Sequence, residues 1–514
     1  MNVFESLLLL LLSAVLLLQV ARRLSVPYPS MLAMAGVLFA LIPGAPHFNF
    51  DPHIALALFI APALMDAAFD FPLGTARKFW LPLVVFAIGG VLMTTAVVAY
   101  AGWAFAGLPL AAAVVLGAIV APPDAAASTA ILSTMAIPRT TDTVLRGESL
   151  FNDAAALLIF GAALAVQSAG SVDTSVALHL TAAVPGGILL GVVAAYVLGW
   201  LNRFIADSLG GNLMQFVQTF LLWIIAERLE LSAVLAIVAF AMTIASRSTV
   251  VSSARMRVQS YAVWTVVVFV LNVVAFLMMG MQARDIVSDM SGTHLRDAIL
   301  FATLVVVIVI VARFVLCIGF NRARALYAGR HGQPEPANIK QAILAGWCGM
   351  RGLVTLATAF ALPADFPERE TVVLAAFAVV LATLVIQGLT LSYLVRALGL
   401  DFRDKVISEL AGLRGELASA ALSKLDGIEV PEAELLRSVF RLEQDATNDP
   451  ERTLPFEKYR KLALKAMMAQ RQLLEQLRAE NRVNIDEYNL LLEEIDWREL
   501  SVLPAEARHI EETS

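Results

Sequence analysis

The feature that most constrains this chain is a recurring apolar run about as long as a bilayer is thick. A hydrocarbon core of about 30 Å takes roughly 20 helical residues to cross. Runs near that length, some shorter, fall at 4–21, 29–43, 53–70, 80–105, 109–136, 144–168, 176–202, 212–229, 231–248, 261–281, 295–319, 337–361 and 370–397. They lack the alternation of barrel strands, and backbone in lipid must satisfy its own hydrogen bonds, so helices are expected. The expected fold is an all-α polytopic membrane protein of about 13 transmembrane helices.

Composition agrees. The chain is 59% hydrophobic and 16% charged, whereas soluble domains are nearer half and a quarter. Of its 80 charged side chains, about 40 lie in residues 1–400 and about 40 in 401–514. The reading is a transmembrane domain over 1–400 and a cytosolic helical C-terminal domain over 401–514. In the tail, heptad-like stretches such as "EKYRKLALKAMMAQRQLLEQLRAENR" alternate with breaks at Asp449-Pro450 and Leu454-Pro455. The near balance of charge, −6 overall, excludes nucleic acid as an expected partner.

In the first apolar run the basic pair Arg22-Arg23 follows the hydrophobic stretch. A cleaved signal has the opposite polarity, so this run is read as a retained first span. With the first residue outside, the inner loops collect about fifteen Lys and Arg and the outer loops about four. That bias predicts the N-terminus outside and the C-terminus in the cytoplasm. The only cysteines, Cys317 and Cys348, lie in apolar runs, so no disulfide framework is expected. The chain contains no HExxH, GxSxG or Walker loop, and His47, His53, His179 and His294 fall near the outer surface, which argues against an enzyme.

Ionisable residues in mid-span are costly and usually face a cavity. "GESLFND", residues 147–153, runs directly into "AAALLIFGAALAV". It places Asp153 roughly 13 Å into the sixth run, close to the midplane. Asn152 stands beside it and Ser149 one turn before. In the fifth run, "GAIVAPPDAAASTAIL" carries Pro122 and Pro123 just ahead of Asp124. Two prolines remove two donors and disfavour helix before them, so this helix is expected to break. Carbonyls freed at that depth survive only beside protein or a cavity, where they can coordinate a cation. In the twelfth run, Arg351 lies among Gly346, Gly349 and Gly352, which permit a second break. A cation so deep needs a counter-charge, and Glu148 is the expected partner in a structural ion pair. Asp66, near the inner end of the third run, either lines the approach, joins the site or snorkels to water. The two broken segments lie seven runs apart and so run oppositely across the membrane, the pattern of inverted-topology repeats with crossed discontinuous helices.

These residues resemble the monovalent cation/proton antiporters that include bacterial NhaP-type proteins and animal sodium/proton exchangers. "GESLFNDAAALLIF" is similar to that family's Glu-Ser-Leu-hydrophobic-Asn-Asp helix. "APPDAAA", "CGMRG", "APALMDAAF" and "FVLNVVAFLMMGMQ" match further family patterns in order over residues 1–400. The resemblance implies thirteen spans, a homodimer, an elevator-like movement and no cofactor beyond the transported Na+ or K+ and protons. It implies that Asp153 is the ion- and proton-binding carboxylate, with Asn152, Ser149, Asp124 and backbone near Pro123 completing the site, and Asp66 lining the approach. Glu148 and Arg351 would form the stabilising pair. The family's usual Thr before the second Asp is Pro123 here and its usual Pro after it is Ala125, so one hydroxyl ligand is lost.

A chemical expectation follows. Burial disfavours the charged form of a carboxylate, so a mid-membrane Asp153 must hold a proton or a cation. Hard cations take oxygen ligands. If access switches only when Asp153 is neutralised, the ligands compete and exchange is enforced. Since Asn152 cannot ionise, one proton would be traded for one monovalent cation, serving pH and cation homeostasis at the cell membrane. A cation channel or an ion-sensing membrane protein is the alternative.

Overall fold

The computed structural model describes residues 3–24, 26–40, 52–132, 135, 137–169, 174–202, 209–251, 254–288, 292–331, 338–401, 403–448, 453–480 and 482–504. Packing divides the chain into two compact units, Met1–Asp401 and Phe402–Glu512. The secondary structure of the described residues is helical throughout, without strands.

In the first unit, α1 (Val3–Leu24), α2 (Tyr28–Ala40) and α3 (Pro52–Phe69) are followed by α4 (Trp80–Phe105). Next come two half-length helices, α5 (Leu110–Val120) and α6 (Ala125–Leu132), then α7 (Arg139–Ala169), α8 (Thr174–Asn202), α9 (Leu209–Arg228), α10 (Ala233–Val251) and α11 (Ala254–Met281). The unit closes with α12 (Gly292–His331), a second half-length pair α13 (Ile339–Trp347) and α14 (Leu353–Phe360), and α15 (Arg369–Leu398). Each apolar run overlies one of these helices or one broken pair. The runs meeting near 229–231 are separated by a tight turn in which Glu230 adopts a left-handed backbone, φ 55°. Among the described residues, six helices are long and apolar enough to cross a membrane: α4, α7, α8, α11, α12 and α15.

Side-chain exposure separates surface from interior helices. On α1, Leu8, Leu12 and Leu16 are exposed, and on α8 so are Leu189, Val193, Val197 and Trp200. Exposed apolar faces of this kind suit lipid. By contrast α5 is enclosed, with Ala112, Ala113, Val115, Leu116, Ile119 and Val120 all buried. That burial positions the site, because an interrupted helix is tolerable only where protein or a cavity, not lipid, surrounds its freed backbone groups. Helix approach is set by small residues. Gly36 of α2 and Gly280 of α11 face one another so closely that a Cβ on either would overlap the other's backbone. Two stretches are underwound into π-helix, Val84–Gly89 within α4 and Thr383–Gln387 within α15. Such bulges occur often at functional sites.

The second unit contains α16 (Arg403–Leu425), α17 (Pro431–Asn448), α18 (Thr453–Ala479) and α19 (Ile485–Val502). Gly427, at φ 78°, makes the turn between α16 and α17. A capping box starts α19: Asn484 accepts from the Glu487 backbone N–H, and Glu487 accepts from that of Asn484. Leu474, Tyr488 and Ile495 form a small core between α18 and α19, and Arg471 donates to Glu499 at 2.7 Å and to Asp496. The Tyr488 hydroxyl donates to Glu475, which raises the phenol above its usual range.

Candidate functional site

The site begins with the two interruptions. α5 stops at Val120, and Pro122 and Pro123 keep residues 121–124 out of helix until α6 starts at Ala125. In the twelfth run, α13 stops at Trp347 and the glycine-flanked segment 348–352 precedes α14 at Leu353. The interruptions meet: the Asp124 backbone N–H donates to the Met350 carbonyl at 2.6 Å.

Arg351 works at this crossing. Its Nε donates to the Val120 carbonyl at 3.1 Å, its Nη2 to that of Ala121 at 3.3 Å, and its Nη1 to that of Gly349. Its backbone N–H donates to Thr383 Oγ1 at 3.0 Å, in the π-helical part of α15. The guanidinium thus gathers carbonyls at or just beyond the ends of α5 and α13, where helix dipoles present partial negative charge. Asp124 does the converse. It stands directly before α6, and its carboxylate packs so tightly on Gly352, directly before α14, that a Cβ there would overlap it. One carboxylate therefore lies at two helix N-termini, where partial positive charge favours an anion.

Long α7 brings the remaining groups. Asn152 is fully buried and its Nδ2 donates to the Pro123 carbonyl at 2.8 Å. Its Oδ1 has no hydrogen-bond partner. Asp153 follows, also buried, with Asp124 close enough to act on it electrostatically. Half-buried Ser149 lies one turn earlier on the same helix. Among the described residues no three His, Cys, Asp or Glu side chains are grouped to hold a metal. The oxygens on offer are two carboxylates, an amide and backbone carbonyls, a set suited to a hard monovalent cation.

The expected Glu148–Arg351 ion pair is not what forms. Glu148 is held by Arg313 of α12: Arg313 Nη2 donates to Oε2 at 2.7 Å and Nη1 donates to Oε1. Both side chains are almost fully enclosed. The reason is a competition for donors. Arg351 spends its guanidinium on carbonyls that the broken helices expose, so Glu148 is left to a second arginine. Arg313 was not among the residues expected from sequence, because no proline pair or glycine cluster marks its segment as they mark those of Asp124 and Arg351. The signal was present, since an arginine inside "VVVIVIVARFVLCIGF" breaks the same rule as Arg351.

Asp66 is not brought to Asp153 by any described hydrogen bond. It lies on α3 within electrostatic reach of Asp70, whose carboxylate accepts from the Tyr261 hydroxyl at 3.0 Å. Cys317 and Cys348 are both free and buried.

Two interrupted helices that meet at their breaks, with a buried carboxylate beside them and opposite charges at their ends, form an arrangement found in membrane ion transporters. The family described as "Sodium/hydrogen exchanger, transmembrane" matches residues 8–397, and the chain belongs to it. It is 29% identical over 392 residues to a sodium, potassium, lithium and rubidium/H(+) antiporter of Bacillus pumilus, covering 72% of this chain and 58% of that longer protein. It is 29% identical over 418 residues to the Na(+)/H(+) antiporter NhaH of Halobacillus dabanensis, covering 78% of this chain and 98% of that one. The fold is shared with the sodium proton antiporter MjNhaP1 of Methanocaldococcus jannaschii, with TM-score 0.57, 16% identity and coverage of 76% of this chain and 100% of that chain.

Proposed function

We propose that this protein exchanges one monovalent cation for one proton across the cell membrane, without net charge movement, and that Asp153 carries both ligands in turn. The observation that carries the reading is the bond from Asn152 to the Pro123 carbonyl. It ties Asp153 to the break in α5 and leaves the Asn152 oxygen unpartnered beside it. Asp124 lies at two helix N-termini, where backbone dipoles favour an anion, and in this reading only Asp153 changes its ligand. With Asp153 neutralised by a proton or a cation the site changes access; empty, it does not. Ser149 and the carbonyls near Pro123 complete the cation's shell, and Asp66 with Asp70 attracts cations on the approach. The Glu148–Arg313 pair and Arg351 hold the frame.

The relatives' names cover sodium, potassium, lithium and rubidium, and we place sodium first among the candidates here, with potassium and lithium next. The same proposal takes the protein as a homodimer, N-terminus outside and C-terminus cytoplasmic, serving pH and cation homeostasis. Proteoliposomes with a trapped pH dye test it. Sodium, potassium or lithium added in turn should drive proton movement, and an imposed voltage at fixed pH gradient should leave the rate unchanged. A rate that follows voltage steeply would reject one-for-one exchange.

A further inference from the structure

A cavity of about 480 Å³ lies apart from the exchange site, between the start of α4, the first turn of α7, the end of α12 and the start of α13. Part of its lining is apolar and aromatic, made by Phe79, Pro82, Phe86, Val144 and Phe320. The rest is largely polar, with Thr140, Thr141, Asn321, Asn338, Gln341 and Arg324. Among the described residues of the lining, Arg324 is the only charged one and no carboxylate contributes. The buried Oε1 of Gln341 has no hydrogen-bond partner, and a buried acceptor left unmade costs roughly 1–3 kcal/mol.

These features specify an occupant in three parts. Arg324, in a lining whose other described polar residues are hydroxyls and amides, selects an anion, and its planar fork suits phosphate. The Gln341 oxygen asks for a hydrogen-bond donor on the same ligand. The aromatic residues of the lining ask for an apolar continuation. Free phosphate, although its P–OH can donate, lacks the apolar part. A phospholipid headgroup whose phosphodiester bears a hydroxyl or ammonium group, as in phosphatidylglycerol or phosphatidylethanolamine, has all three. The position suits it, since the lining residues Phe79 and Arg324 lie where apolar α4 and α12 border Arg77, Lys78 and Arg322 in the sequence.

We propose that this cavity is a phospholipid-headgroup site, with Arg324 on the phosphate and Gln341 on the headgroup donor. Its inner lining also touches the frame of the transporter. Phe86 lies under the Arg313 guanidinium at 5.8 Å, the Ala345 carbonyl accepts from Arg313 Nε at 3.4 Å, and Cys317 sits one turn beyond Arg313 on α12. A lipid bound there braces the wall that carries the Glu148–Arg313 pair. The site is independent of which ion is exchanged.

The test is thermal denaturation of the delipidated full-length protein in detergent, titrated with short-chain phosphatidylglycerol, phosphatidylethanolamine, phosphatidylcholine or inorganic phosphate. Native mass spectrometry of the same samples counts retained lipid. Phosphatidylglycerol and phosphatidylethanolamine should stabilise and remain bound. Phosphatidylcholine, which has no headgroup donor, and phosphate should do so at least about tenfold more weakly. Arg324→Ala and Gln341→Leu should each weaken the effective lipids about tenfold, as expected for losing one charge-assisted or donor-matched hydrogen bond. Ala342→Trp, which fills the cavity, should abolish retention. Equal response to phosphatidylcholine, equal response to phosphate, or unchanged retention in any variant that stays folded would overturn the assignment.

Discussion

The Glu148–Arg313 pair allows a prediction that separates it from the partner expected on sequence grounds. The carboxylate and guanidinium are 2% and 4% exposed and joined by two hydrogen bonds, one of 2.7 Å. Removing one member of such a pair strands a buried charge, at a cost of about 3–5 kcal/mol. Arg313→Met should fall at the lower end, because Arg351 stands within electrostatic reach of Glu148. Replacing both partners by neutral groups of similar volume strands nothing and can be nearly free. The double variant Glu148→Gln/Arg313→Met should therefore be more stable than either single variant, with a coupling of about 3 kcal/mol. The parallel cycle Glu148→Gln/Arg351→Met should show much weaker coupling, since the Arg351 guanidinium bonds to the carbonyls of Val120, Ala121 and Gly349 and not to Glu148. The assay is reversible unfolding of both cycles in mixed micelles. If coupling to Arg351 equals or exceeds coupling to Arg313, the assignment of roles to the two arginines is wrong.

Three further outcomes follow. Gly352→Ala puts a methyl where the Asp124 carboxylate packs; exchange should fall on the order of 10²-fold, while size-exclusion profiles show the protein still folded. Because proton and cation share one carboxylate, lowering pH equally on both sides should raise the KM for the cation with little change in maximal rate, measured by isotope uptake. Deleting the second unit, Phe402 onward, should leave cation-driven proton flux in proteoliposomes, because no residue of the exchange site lies in it.

The helices and the breaks were legible because their causes are local. Length and apolarity set each run, and Pro122-Pro123 and the glycines around Arg351 mark where hydrogen bonding must fail. Asp153 and Asn152 were legible for the same reason, as polar groups out of place in an apolar helix. What the sequence concealed was lateral. Whether Glu148 pairs with Arg313 or Arg351 depends on where α12 packs and on how many carbonyls claim Arg351 first. The π-helical stretch at Thr383–Gln387 was equally hidden. Nothing in the run 370–397 distinguishes it from ordinary helix, yet it presents Thr383 to the Arg351 backbone.

The most direct test is proton flux driven by a sodium or potassium gradient in liposomes containing Asp153→Asn, a change that keeps the shape and Asn152's hold on Pro123 but removes the titratable group. The account predicts no cation-coupled proton movement, with the protein folded and inserted as before. Coupled flux near the unmodified level in that variant would contradict it.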